Sequence, residues 1–258
     1  MRTVLAAIDT SAAARAVLET ALGIGDLMDA TVEAVHVRNG SAERAEALGA
    51  WSEVPVRVLR GPVAPTLLHA VAEPGVLAAV LGARATPGGR RPAGRTALHV
   101  LERAGKPVVV VPPDAVGVTP RPFKRLLVPV EGTEESSRPV AEALFPLIVG
   151  EVELVAVHVF TAATVPRVLD RRERDLQLWG GEFLARYCPN ATRVEWRTGS
   201  VGGRVAEVCD EEDADMIVLT WSQHMSAGRA AVVSEVLGRS TVPVLLLPVA
   251  GDPTPTKA

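Results

Sequence analysis

The chain lacks most of the features that place a protein at first sight. It has two cysteines in 258 residues, Cys188 and Cys209, too few for a disulfide scaffold and wrongly spaced for a structural zinc site. Two partly buried thiols are the plain expectation. Aromatic residues make up 3% of a chain that is 48% hydrophobic, so Val, Leu, Ile and Ala must build the core, which suits helices covering buried parallel strands. No run reaches the roughly 18 apolar residues of a membrane span, and the opening MRTVLAAID lacks the apolar core and cleavage site of a signal peptide. A cytoplasmic protein without membrane contact is expected. Charge of one sign is also missing. The formal net charge is −3 and the pI about 6.0, which argues against a general nucleic-acid binder.

Catalytic signatures are absent too. There is no Gly-x-Ser-x-Gly elbow, no paired metal-ligand spacing and no Walker-type Gly-Lys-Ser/Thr loop. The SGGxDS and HxGH loops of folds that do chemistry on ATP do not occur either. No catalytic residue and no metal ligand is assigned, and the chain is expected not to be an enzyme.

What the chain does have is a repeat. VLAAIDTS recurs as LLVPVEGT, setting Asp9 on Glu131, and AVHV recurs with His36 on His158, both pairs 122 residues apart. VRVLRGPV closes at Gly61 as VEWRTGSV closes at Gly199, and GKPVVVVPP matches TVPVLLLPV with Pro107 on Pro243. The Pro- and Gly-containing stretch DAVGVTPRP marks the seam. This divides the chain into half one, residues 1–115, a linker at 116–122, and half two, residues 123–258.

Each half alternates strand and helix. Half one is expected to place strands at Thr3 to Ile8, Thr31 to Val37, Pro55 to Leu59, Val76 to Leu81 and Pro107 to Val111. Half two repeats them at Arg125 to Val130, Val152 to Val159, Thr192 to Arg197, Met216 to Thr220 and Pro243 to Leu247. The first helix is expected to be capped at Thr10 or Ser11, and its counterpart to start at Ser136 or Ser137, because Pro139 fits only a first turn. Half two carries extra residues between its second and third strands. They form a charged amphipathic segment, Arg167 to Tyr187, with Leu169, Leu176, Trp179, Phe183 and Tyr187 on one helical face. The fold class is therefore α/β, with two repeated doubly wound domains, each a five-stranded parallel sheet with flanking helices. Ligands would bind beyond the carboxyl ends of the strands.

The basic stretch GARATPGGRRPAGRT, Gly82 to Thr96, follows the fourth strand of half one. A strand ending in Asp, an AVHV second strand, a glycine closing the third, a Gly-rich loop after the fourth and a final PVVVV strand together resemble the universal stress protein family, here in tandem. The resemblance implies a fold related to the adenine-nucleotide α-hydrolases and, in some members, ATP binding. It implies a loop after the fourth strand of the form Gly, two residues, Gly, nine residues, then Gly with Ser or Thr. There Cβ-free positions let backbone N–H groups approach phosphates. The strand-one Asp lies near the adenosine.

Carried onto half one, the resemblance implies Asp9, Gly82, Arg84, Gly94, Arg95 and Thr96 as nucleotide-binding residues, with ATP or another adenine nucleotide and Mg as ligand. Ala85 stands where the second glycine belongs. Counting back from Pro107 puts the third glycine at Gly94, whereas counting on from Gly82 puts the closing hydroxyl at Thr96. Gly88, Gly89, Arg90 and Arg91 offer alternative N–H groups and charge; a solvated basic loop is the other account. In half two, Thr220 and Gln223 replace the first two glycines and Glu131 replaces Asp9, so the family's nucleotide mode is expected to be lost. Trp221, with His224, is placed at the mouth of the second cleft, where its ring would fill vacated space. His36 and His158 are expected to be structural.

The resulting expectation is a non-enzymatic stress-response binding or regulatory protein that holds an adenine nucleotide in half one only. The alternative is a nucleotide-independent interaction protein acting through assembly with protein partners. The resemblance also implies pairing of Val108 to Val111 with Val244 to Leu247 between the two domains, and a homodimer as a further assembly.

Overall fold

The structure, a computed structural model, describes residues 1–38, 54–83, 93–113, 115, 122–133, 137, 140–142, 144, 148, 151–161, 173–223 and 229–249. In half one the elements are β1 (Thr3–Ala7), α1 (Ala13–Met28), β2 (Thr31–Arg38), β3 (Val56–Arg60), α2 (Val63–Ala72), β4 (Val76–Gly82), α3 (Arg95–Leu101) and β5 (Val108–Val111). In half two they are β6 (Arg125–Pro129), β7 (Glu153–Phe160), α4 (Glu173–Tyr187), β8 (Arg193–Thr198), α5 (Val201–Glu211), β9 (Met216–Trp221), α6 (Arg229–Arg239) and β10 (Val244–Pro248). All ten expected strands are present, each within one residue of its expected bounds.

The strands form one ten-stranded sheet in the order β3-β2-β1-β4-β5-β10-β9-β6-β7-β8. Every pairing is parallel except β5 with β10, which is antiparallel through Val110 and Val244, Val109 and Leu245, and Val108 and Leu246. The intramolecular pairing expected from the resemblance is thus the centre of the sheet. β5 has β4 on one side and β10 on the other, so both of its edges are occupied.

Alternation along the strands sends neighbouring side chains to opposite faces. Val4 and Ala6 join a cluster with Ile24, Met28, Leu126 and Leu245, while Leu5 joins Leu67, Val100, Leu127, Val236 and Leu246 on the other face. Both faces are apolar because parallel strands reached by helical crossovers are covered on both sides. In each half the third strand closes on a glycine of left-handed φ, Gly61 at 139° and Gly199 at 124°. A side chain is strained there, so the repeat of Gly at this point has a backbone cause.

Two helix starts differ from expectation. α1 begins at Ala13 behind Ala12, without a side-chain cap; the Ser11 N–H is instead taken by the Asp9 carboxylate at 2.9 Å. In half two Ser137 already donates its N–H to the Thr133 carbonyl at 3.1 Å, so it lies inside a helix rather than at its start. Of the expected segment from Arg167 to Tyr187, the helix α4 accounts for the part from Glu173; residues 167–172 lie outside the described residues.

Candidate functional site

The carboxyl ends of the strands carry a cleft in each half, as expected for a sheet that changes direction between its first and fourth strands. In cleft one, Asp9 follows β1, His36 stands on β2, Gly82 ends β4, and Gly94, Arg95 and Thr96 lead into α3. The cavity measures about 430 Å³. Five of the six residues assigned from the sequence are thus brought together: Asp9, Gly82, Gly94, Arg95 and Thr96. Arg84 lies outside the described residues, as do Ala85, Gly88, Gly89, Arg90 and Arg91.

Gly94 is the residue immediately before α3, the place that the count back from Pro107 gives to the third glycine. Its N–H donates to the Ala83 carbonyl at 2.6 Å, and a Cβ on Gly94 would stand 3.3 Å from that same oxygen. The turn is therefore tight against β4, and glycine relieves it. His36 donates from Nδ1 to the Ile8 carbonyl at 3.0 Å, and Ile8 donates to the Val35 carbonyl at 2.9 Å. His36 thereby ties the β1 end, where Asp9 sits, to β2.

Cleft two reuses the frame and changes its walls. His158 donates from Nδ1 to the Val130 carbonyl at 2.7 Å, the counterpart of the bond from His36 to Ile8. Burial pushes the His158 imidazole below its ordinary value, against the opposing pull of that carbonyl. Thr220, the last residue but one of β9, stands where Gly82 ends β4, and Gln223 takes a left-handed φ of 62°. Glu131 follows β6, and Gly132, at φ 76°, occupies the position of Thr10 in half one.

α4 closes over this end of the sheet with Trp179, Phe183 and Tyr187 toward the cleft, and β7 contributes Phe160. The cavity measures about 850 Å³. Trp179 stacks on Trp196 with ring centres 4.4 Å apart and planes 14° from parallel, and Phe183 meets the edge of His158 at 5.1 Å. Sequence reasoning put Trp179, Phe183 and Tyr187 on one helix face but gave that face no cleft to cover. Phe160 was missed, although the repeat sets it opposite Arg38, an exchange of charge for a ring at one strand end.

Trp221 is a correction. Its ring is buried but does not line cleft two; the indole Nε1–H donates to the Leu101 carbonyl at 3.2 Å, across the seam in half one. Gln223 joins it, donating from Nε2 to the Leu101 and Ala104 carbonyls at 3.3 and 2.5 Å. Carbonyls at a helix end have no intrahelical partner, and the carboxyl end of α3 offers the nearest acceptors to this loop. His224 lies outside the described residues.

Among the described residues no helix is long and apolar enough to cross a membrane, and no group of three His, Cys, Asp or Glu side chains could hold a metal ion. Both thiols are free and buried, Cys188 pushed up to about 11 and Cys209 to about 12 by that burial.

A mostly parallel sheet with one cleft per repeat, each at the carboxyl strand ends, defines a tandem α/β protein of the doubly wound class. The universal stress protein family profile matches residues 122–248. Half two therefore belongs to the universal stress protein family, and half one repeats its fold in tandem. Among solved structures, a functionally unknown protein from Pseudomonas aeruginosa PAO1 is similar at 13% identity and TM-score 0.68, covering 96% of this chain and 92% of its own. A universal stress protein from Archaeoglobus fulgidus DSM 4304 is similar at 18% identity and TM-score 0.66, over 95% of this chain and 96% of its own. The cytoplasmic domain of a prokaryotic cation chloride cotransporter shares the fold at 12% identity and TM-score 0.54, over 95% and 94%. No curated protein matches the sequence.

Proposed function

We propose that the chain is a non-enzymatic, stress-associated regulatory protein that binds an adenine nucleotide, ATP with Mg²⁺, in cleft one and not in cleft two. The observation that carries this is the meeting of Asp9, Gly82, Gly94, Arg95 and Thr96 around one cavity of about 430 Å³. A carboxylate beside β1 can accept from ribose hydroxyls, while glycine positions at β4 and before α3 let main-chain N–H groups come close to phosphate. Arg95 adds a guanidinium suited to phosphate oxygens.

The non-enzymatic part rests on how the titratable groups of the cleft are engaged. His36 donates to the Ile8 carbonyl, so its Nδ1 serves the backbone instead of addressing a water or a nucleophile, and Asp9 is positioned by the Ser11 N–H. A general base needs the reacting proton within hydrogen-bond reach. For cleft two, Thr220 replaces the first glycine and Gln223 bonds to half one, which leaves no equivalent cradle among the described residues.

Calorimetric titration of the full chain with ATP and Mg²⁺ tests the proposal. One equivalent is expected to bind, with Asp9→Ala and Gly82→Val each weakening it, and no phosphate should be released above the uncatalysed rate. Absence of heat at millimolar nucleotide would reject the nucleotide part and favour action through protein partners. Steady phosphate release that Asp9→Ala abolishes would reject the non-enzymatic part.

A further inference from the structure

Cleft two is about twice the volume of cleft one, and about 850 Å³ is in the usual range for small-molecule sites. Its inner walls are Val157 and Val159 of β7, Leu219 of β9 and Val233 of α6, with Phe160 and Phe183 across from them. Three changes relative to half one act together to make it. Gly132 replaces Thr10, and a Cβ there would stand 3.0 Å from the Phe183 ring and 3.4 Å from the His158 ring, so its loss lets α4 approach. Phe160 replaces Arg38 at the end of the second strand, removing a charge from the wall. Trp179 comes from the extra segment and is backed by Trp196 at 4.4 Å, which fixes the plane of its ring.

Among the described residues, the charged groups on the rim are Glu131, Glu182 and Arg186, all exposed, which together carry one formal negative charge. The glycine cradle is replaced by Thr220, and a rim of this sign does not attract anions. Ring walls of fixed orientation favour a flat partner, through offset or edge contacts and the area they bury.

We propose that cleft two is a binding site for a flat, uncharged aromatic small molecule, seated between the Trp179 and Phe183 wall and the valines of β7 and α6. This does not rest on cleft one holding a nucleotide.

The test is a fluorescence titration of the full chain with N-phenyl-1-naphthylamine, a neutral dye of one naphthyl and one phenyl group that accepts energy from tryptophan. Saturable binding of one equivalent is expected, with a blue-shifted dye emission. Val232→Trp, which puts a ring into the cavity from α6, should weaken binding at least tenfold. Trp179→Ala, which removes the stacked wall without adding bulk, should do the same should the first variant not fold. The related anion 1-anilinonaphthalene-8-sulfonate should bind at least tenfold more weakly than the neutral dye. Three results would each overturn the proposal: no saturable binding up to the solubility of the dye, binding unchanged in the folded variants, or equal or tighter binding of the anion. The thermal transition of Val232→Trp, set beside that of the parent protein, shows whether the substitution disturbs the whole chain instead of the cleft alone.

Discussion

Replacing Trp221 with Ala should lower the stability of both halves together. The indole is 2% exposed and its N–H reaches the Leu101 carbonyl in the other half. Truncating a buried Trp to Ala costs about 3 to 5 kcal/mol through lost transfer energy and the cavity left behind. For a chain near this size each kcal/mol moves Tm by about 2 to 4 °C, which gives a fall of roughly 6 to 20 °C. Trp221→Phe is the control: it keeps most of the apolar bulk and leaves Gln223 still donating to Leu101 at 3.3 Å, so a loss of about 1 kcal/mol is expected from the missing hydrogen bond. Differential scanning calorimetry of the ligand-free protein reads both, and because β5 and β10 join the halves into one sheet a single transition is expected. A shift under about 2 °C for Trp221→Ala would refute the assignment of this ring to the seam. So would a split into two transitions with only half two displaced. A ring that merely filled the mouth of cleft two could be removed at little cost.

Two further outcomes follow from burial. With Cys188 raised to about 11 and Cys209 to about 12, neither is a thiolate near neutral pH, so neither should react with a disulfide reagent at pH 8 until guanidinium unfolds the chain and exposes both; prompt labelling of the native protein would contradict the packing described. The His158 imidazole titrates below its ordinary value in the folded chain because burial disfavours its charged form, so the unfolded chain takes up this proton at the higher pH. The stability His158 contributes is then complete above about pH 6.5, the ordinary histidine value, and is lost as pH falls below it; Tm of the protein should drop more steeply between about pH 7 and 5 than Tm of His158→Gln, and parallel curves would show that His158 carries no such linkage.

The strands and their correspondence between the halves were legible because two independent signals agreed. Apolar runs such as VLAAVLG and VVVV marked buried parallel strands, and the repeat fixed which strand of one half corresponded to which in the other. Gly61 and Gly199 were legible in the same way, since the recurrence of glycine at a strand end reflects a φ that other residues avoid. The cleft-one residues were named through the family resemblance, carried onto the strand ends that the repeat had marked. Trp221 was misplaced because position along the chain says which strand end a side chain leaves, but not toward which face or neighbour it turns. That direction depends on the carbonyl of Leu101, which is more than a hundred residues away in sequence. The aromatic wall of cleft two was half legible for a related reason. Helical spacing put Trp179, Phe183 and Tyr187 on one face, yet only the turn at Gly132 shows how closely that face can approach the sheet.

The divergence of the two halves is concentrated where it costs the core least. Between the strand ends the halves match closely: Val4 and Ala6 face the same layer as Leu126 and Val128, and Leu5 the same opposite layer as Leu127. Beyond the strand ends, substitution leaves that packing untouched, and the stretch after β9 has been given a different task from the stretch after β4. Where the family pattern has its first two loop glycines, half two has Thr220 and Gln223, and the amide of Gln223 together with the indole of Trp221 binds the end of α3. The matching positions in half one, Ala83 and Ala85, carry only methyl groups and cannot return such bonds. Among the described residues, these side-chain bonds across the seam run from half two to half one. A loop that must lie open around a phosphate cannot also use its second glycine position for an amide hydrogen-bonded to a neighbouring helix, so under the proposed function the change that adds these bonds across the seam is the same change that replaces the second loop glycine in half two.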